Sequence, residues 1–102
     1  MKILWTETAL TDLQEIKAYI SRDSLFYAVR LVEKLISSVE SLEMFPEMGR
    51  KVPEANQENI REIIYRPYRI IYQFEKETVI IVTIIHSGRD LSQPGLQKWE
   101  IK

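Results

Sequence analysis

Residues Arg61 to Arg89, REIIYRPYRIIYQFEKETVIIVTIIHSGR, constrain the fold of this chain more than any other stretch. Two short apolar runs, 61–66 and 69–74, meet at a proline-containing corner. A longer one, Val79 to Ile85, follows the charged link Glu75-Lys76-Glu77-Thr78. Ile, Val, Tyr, Phe and Thr dominate all three, and such β-branched and aromatic side chains suit a pleated, half-buried surface. The pattern predicts a three-stranded antiparallel meander. Side chains alternate between faces along a strand, so Ile70, Tyr72 and Phe74 are expected on one face and Arg69, Ile71 and Gln73 on the other. The third run is apolar everywhere but at Thr83, as expected of a central strand with both faces buried.

The preceding residues read as cover for the Ile70 face. Lys2 to Trp5 is short and apolar and is expected to join the meander edge. Thr6 or Thr8 can cap the next helix, because a threonine hydroxyl accepts from the free N–H groups of a first helical turn. Ala9, Leu13, Ile16 and Ile20 then recur at steps of four, three and four, which draws one apolar stripe along a helix over about 8–21. Asp23 or Ser24 is placed to cap a second helix. Ala28, Val32, Leu35, Val39 and Leu42, widened by Leu31 and Ile36, carry that helix over about 24–43. The short connection makes the two an antiparallel hairpin, whose stripe packs on the protein's own sheet rather than on a coiled-coil partner. Phe45, Pro46, Gly49 and Pro53 mark an irregular loop over about 44–60, read as solvated. Residues 87–102, with Pro94, Gly95 and the isolated Trp99, read as a tail that docks or binds something. The expected class is α+β: one domain over 1–102, with a helical hairpin packed on an antiparallel sheet.

Composition narrows the function classes. At 102 residues the chain fits one domain with a real core. No apolar run approaches the ~20 residues of a membrane span, and no basic start is followed by a long apolar segment, so a cytoplasmic location is expected. The absence of Cys removes disulfides and thiolate chemistry. A single His makes a zinc site improbable. The three glycines are scattered, so phosphate-loop and dinucleotide motifs are absent, and no metal or cofactor is expected. The net charge of −1 conceals an asymmetry: residues 1–58 carry seven Lys/Arg against ten Asp/Glu, and residues 59–102 carry seven against five. That excess is too mild for a nucleic-acid footprint, yet it permits a local anion site near the sheet.

Several short motifs follow one another in order: Trp5 on the first strand, the helical hairpin, Phe45-Pro46, Gly49-Arg50, Val52-Pro53-Glu54, Ile60-Arg61-Glu62, Tyr68-Arg69-Ile70-Ile71-Tyr72 and Ile85-His86-Ser87-Gly88-Arg89-Asp90. Together they resemble the ParE/RelE superfamily of bacterial toxins, over nearly the whole chain. The resemblance implies the toxin of a type II toxin–antitoxin operon, neutralised by a cognate antitoxin, with a heterotetramer as one form of the complex. It implies one of two targets. ParE-type members poison DNA gyrase, and RelE-type members cut mRNA on the ribosome without a metal.

In the cutting branch, the position of Arg69 steadies phosphate charge, and the end of the last strand, here His86, supplies an acid or base. Glu54 loosely matches a glutamate base, and Ser87 stands where some cutting members have Tyr. RNA cleavage needs a base, an acid and cations around one phosphate, but a pI of about 5.9 suits ribosomal RNA poorly. The Gly49 to Pro53 loop and the His86 to Asp90 ending resemble the ParE branch more closely. The expected target- or antitoxin-binding residues are Arg50, Arg61, Arg69, Tyr72, Arg89 and Trp99. Arg69 is expected on the exposed face, converging with Arg61, His86 and Arg89 on one concave surface. The plainer alternative is a surface pair between Arg69 and Glu62. A third reading is an inactive module that only binds antitoxin.

Overall fold

The computed structural model describes residues 1–86. Its elements run β1 (Lys2–Trp5), α1 (Glu7–Ser21), α2 (Leu25–Glu40), a 3-10 turn (Ser41–Glu43), β2 (Arg50–Lys51), β3 (Ile60–Tyr65), β4 (Tyr68–Glu75) and β5 (Thr78–His86). The five strands form one sheet in the order β1-β5-β4-β3-β2. The expected meander is β3-β4-β5, antiparallel throughout. β1 lies beside β5 and runs parallel to it. Its far end is fastened at Thr6, which donates its N–H to the Ile81 carbonyl (3.1 Å) and its hydroxyl to the Val82 carbonyl (2.8 Å). The same hydroxyl accepts from Ala9 N–H (3.0 Å) and so caps α1. Ser24 caps α2 in the same way through Tyr27 N–H (3.2 Å).

The two stripes pack where the periodicity places them. Ala9, Leu35, Val39 and Leu42 meet Ile70, Tyr72, Val79, Ile81 and Ile84 in the main core, with Trp5, Leu13, Ile16 and Leu31 around it. Leu35 is fully buried, which contributes about 1.5–3 kcal/mol from its side chain alone.

The opposite face of the sheet is not open. Val52, Ile60, Ile71, Val82 and Ile85 form a second, smaller core, flanked by Ala55 and Ile80. The segment expected to be a solvated loop supplies this lid. β2 pairs with β3, Val52 N–H bonds the Ile60 carbonyl (3.2 Å), and the turn closing on Val52 is completed by Asn56 at φ 51°. Asn tolerates that left-handed region better than most residues.

The lid is tied down at Gly49. Tyr72, fully buried, donates its hydroxyl to the Pro46 carbonyl (2.7 Å) and accepts from Gly49 N–H (3.0 Å). A Cβ at Gly49 would lie 2.6 Å from both the Glu62 carbonyl and the Tyr72 hydroxyl, so only glycine fits that approach.

β5 carries one irregularity, and it decides which face the end of the strand presents. Tyr72 stands opposite Ile81, but Ile71 stands opposite Thr83, so Val82 is an extra residue in β5. Such a bulge shifts the facing of every residue beyond it. Val79 and Ile81 face the helices before the bulge, and Ile84 does so after it. Asp12 on α1 holds the irregular backbone, accepting from Ile84 N–H (3.0 Å) and from the Thr83 hydroxyl.

Candidate functional site

On the lidded face, four charged residues meet. Glu62 projects from β3, next to the β2 residue Arg50 and the β4 residue Arg69. Its Oε1 accepts from Arg69 Nε (2.5 Å) and its Oε2 from Arg50 Nε (2.6 Å). Glu54, carried by the turn after Val52, takes the rest of the Arg69 guanidinium in a two-point grip, at 3.1 and 3.2 Å. The side chains of Glu62 and Arg69 are 0% and 7% exposed, whereas that of Arg50 is 62% exposed. Burial works against the Arg69 charge, but hydrogen bonds and charge attraction from Glu54 and Glu62 outweigh it and hold its pKa above the ordinary arginine value. The expectation of an exposed Arg69 is therefore corrected. Glu62 is its partner, as in the plainer alternative, but the pair lies beneath the lid.

Tyr72 is corrected as well: its ring sits in the main core and its hydroxyl braces the Pro46–Gly49 segment, so it offers no contact surface. Burial is the first cause that pushes its phenol above the usual value. Arg61 stands opposite Tyr72, hence on the helix face. Its guanidinium bonds the carbonyls of Glu58 (2.9 Å) and Gly49 (3.2 Å) and lies over the Phe74 ring.

His86 ends β5 opposite Tyr68, with the two rings edge to face and their centroids 6.1 Å apart. Tyr68 belongs to the helix-side core, so His86 shares the helix face, while Arg69, the next residue on β4, faces the lid. His86 borders a groove with Asp12, Glu15 and Tyr19 of α1 and with Pro67 and Tyr68. Burial, and then proximity to Tyr19, raises the Tyr68 pKa. The expected trio Arg69, Glu54 and His86 is thus split: Arg69 and Glu54 are joined, and His86 lies across the sheet. The expected convergence of Arg61, Arg69 and His86 on one concave surface does not occur. Arg89 and Trp99 lie outside the described residues. Among the described residues, no group of His, Asp and Glu is placed to hold a metal ion.

Reading the residues alone missed Asp12 and took Gly49 only as a loop marker, not as the point where the lid is tied to Tyr72. Asp12 had a visible signal, a carboxylate between Ala9 and Ile16 beside the apolar stripe of α1, where a charge needs a buried partner.

Residues 3–91 match the family model described as ParE toxin of type II toxin–antitoxin system, parDE. The chain is 35% identical over 89 residues to Toxin RelE2 of Caulobacter vibrioides, an alignment spanning 86% of this chain and 97% of that protein. Among solved structures, it is similar to the chromosomal ParDE toxin–antitoxin system from P. aeruginosa (TM-score 0.70, 21% identity, 84% of this chain and 95% of that one). It is also similar to the toxin–antitoxin complex RelBE2 from Mycobacterium tuberculosis (TM-score 0.60, 19% identity, 83% and 95%). The chain belongs to the ParE toxin family of type II toxin–antitoxin systems, within the ParE/RelE superfamily. No helix among the described residues is long and apolar enough to cross a membrane.

Proposed function

We propose that this toxin acts in the cytoplasm by binding and poisoning DNA gyrase, without cutting RNA, and that a cognate antitoxin neutralises it in a complex of two toxins and two antitoxins. The observation that carries the reading is the β5 bulge. With His86 on the helix face and Arg69 joined to Glu54 beneath the lid, the groups that RNA cleavage would need within reach of one phosphate stand apart. Arg69 is further occupied by two carboxylates, leaving it little capacity to steady an incoming phosphate. Arg50, more than half exposed, remains available to a partner, and Arg89 and Trp99 complete the proposed contact set.

Induction of the chain alone in a bacterial host tests this. Growth arrest with a DNA-damage response and intact mRNA is the expected outcome, and His86→Ala should leave it in place. Arrest with fragmented mRNA, abolished by His86→Ala, would place the chain in the cutting branch. Normal growth would mark an inactive antitoxin-binding module.

A further inference from the structure

α2 carries two apolar lines, and the main core takes up only one of them. Leu35 and Val39 lie in that core. Leu25, Val29, Val32 and Ile36 recur at steps of four, three and four, the spacing of a two-helix seam, which sets them along one flank of the same helix. Val32 and Ile36, expected in the buried stripe, are only half-buried, while Val29 is exposed and Leu25 is 63% exposed. None of the four belongs to either core among the described residues. Phe26 widens the line at its start. It is exposed, and the Arg30 guanidinium lies over its ring, 5.6 Å from the centroid.

Charge is divided along this flank. Arg30 is drawn back over Phe26 toward the start of α2, and Glu33 stands one turn farther on, exposed. Glu33 forms no ion pair among the described residues. Glu40, near the end of the helix, shares a groove with Lys2 and Met1 and is left out of the pairing. The flank is therefore complementary to itself when reversed. An antiparallel pair centred between Arg30 and Leu31 sets Leu25 opposite Ile36 of a second copy and Val29 opposite Val32, and it brings the Phe26–Arg30 stack beside the second copy's Glu33. A parallel pair would instead set Arg30 by Arg30 and Glu33 by Glu33.

We propose that the toxin associates with a second copy of itself through α2, the two Leu25-Val29-Val32-Ile36 lines packing antiparallel about a two-fold axis. Both the apolar line and the Arg30 to Glu33 pairs are satisfied twice by that one operation. A seam one short helix long falls below the ~1,200 Å² of a stable interface, so the dimer is weak and forms only as concentration rises. Arg50 belongs to the lidded face, across the sheet from α2, and stays open to a target in the dimer.

The test is sedimentation velocity on the full chain made in a cell-free system, from about 1 to about 200 μM, with methyl NMR of Val29 and Val32 on the same samples. The mass should rise from monomer toward dimer over that range, and the Val29 and Val32 methyl signals should shift in step. Arg30→Glu and Glu33→Arg each set like charges together across the seam and should weaken the dimer by about tenfold or more, with the melting temperature of the dilute chain unchanged. The double variant Arg30→Glu/Glu33→Arg should regain the dimer, as should an equimolar mixture of the two single variants. A chain that stays monomeric throughout overturns the proposal. In that case, methyl contacts with residues 87–102 would give the flank to that segment, and shifts seen only on adding the protein encoded beside this one would give it to the antitoxin. A dimer indifferent to both single variants uses another surface, and one that the double variant does not restore is not paired antiparallel. Either result also overturns the proposal.

Discussion

Tyr68 and His86 face each other across β4 and β5, rings edge to face at an interplanar angle of 81°, and this pairing exists because Val82 is an extra residue in β5. Without the bulge, continuous pairing from Tyr72↔Ile81 would set Tyr68 opposite Ile85 and turn His86 onto the face of Arg69. A one-residue slip flips every side chain beyond it. The position of one valine thus decides which polar groups this toxin can bring together.

Arg69 is expected to be structural. Arg69→Ala leaves Glu62 without its buried partner and with only the more exposed Arg50, and breaking a buried pair from one side costs about 3–5 kcal/mol. Arg69→Met, which fills similar space, still strands that carboxylate and should also destabilise. The double variant Arg69→Met/Glu62→Leu should recover most of the loss. Urea denaturation midpoints report this, and an unchanged midpoint for Arg69→Ala would show that the Arg69–Glu62–Glu54 cluster makes no net contribution to stability.

Tyr72 gives a pH signature. Its pKa is raised above the ordinary 10.0, chiefly by burial, with partial offset from the Gly49 hydrogen bond and the Arg61 charge. A group whose folded pKa is raised contributes stability that is fully present below the unfolded value and is lost as pH climbs through the folded one. Stability should therefore fall as pH rises above about 10. Tyr72→Phe should cost about 1–3 kcal/mol at pH 7, since Pro46 and Gly49 lose their partner, and its further loss above about pH 10 should be smaller than in the parent. Parallel alkaline curves for the two proteins would contradict the assignment.

Asp12 is predicted to hold the bulge. Asp12→Ala leaves Ile84 N–H and the Thr83 hydroxyl without their acceptor, a loss of about 1–3 kcal/mol per buried group. Faster amide exchange at Ile84, with Ile70 little changed, is the specific sign. Uniform acceleration across β4 and β5 would instead mean that Asp12 supports the whole sheet.

Much of this fold was legible in the sequence because its signals are redundant. Ala28, Leu35, Val39 and Leu42 repeat at helical spacing, Thr6 and Ser24 stand where caps belong, and the meander is rich in residues that suit little else. The bulge was not legible. Val79 to Ile85 is almost wholly apolar, so the run has no alternation from which to read the phase of its side chains. The lid was hidden for a similar reason: Val52 is a single apolar residue among prolines and charges, and only pairing with β3 turns its segment into cover. Glu62 could be named as a partner for Arg69 because the two are near in sequence on adjoining strands. Glu54 reaches Arg69 only because Val52 anchors the turn that carries it. Of the site residues named from the resemblance, Arg69 and Tyr72 proved to be buried.

Gyrase poisoning is tested most directly with purified gyrase, relaxed plasmid and the purified toxin. The toxin is expected to block supercoiling at concentrations comparable to gyrase, the antitoxin to relieve the block, and His86→Ala to retain it. Full supercoiling activity in the presence of the toxin, together with cleavage of mRNA on programmed ribosomes that is lost in His86→Ala, would contradict gyrase as the target.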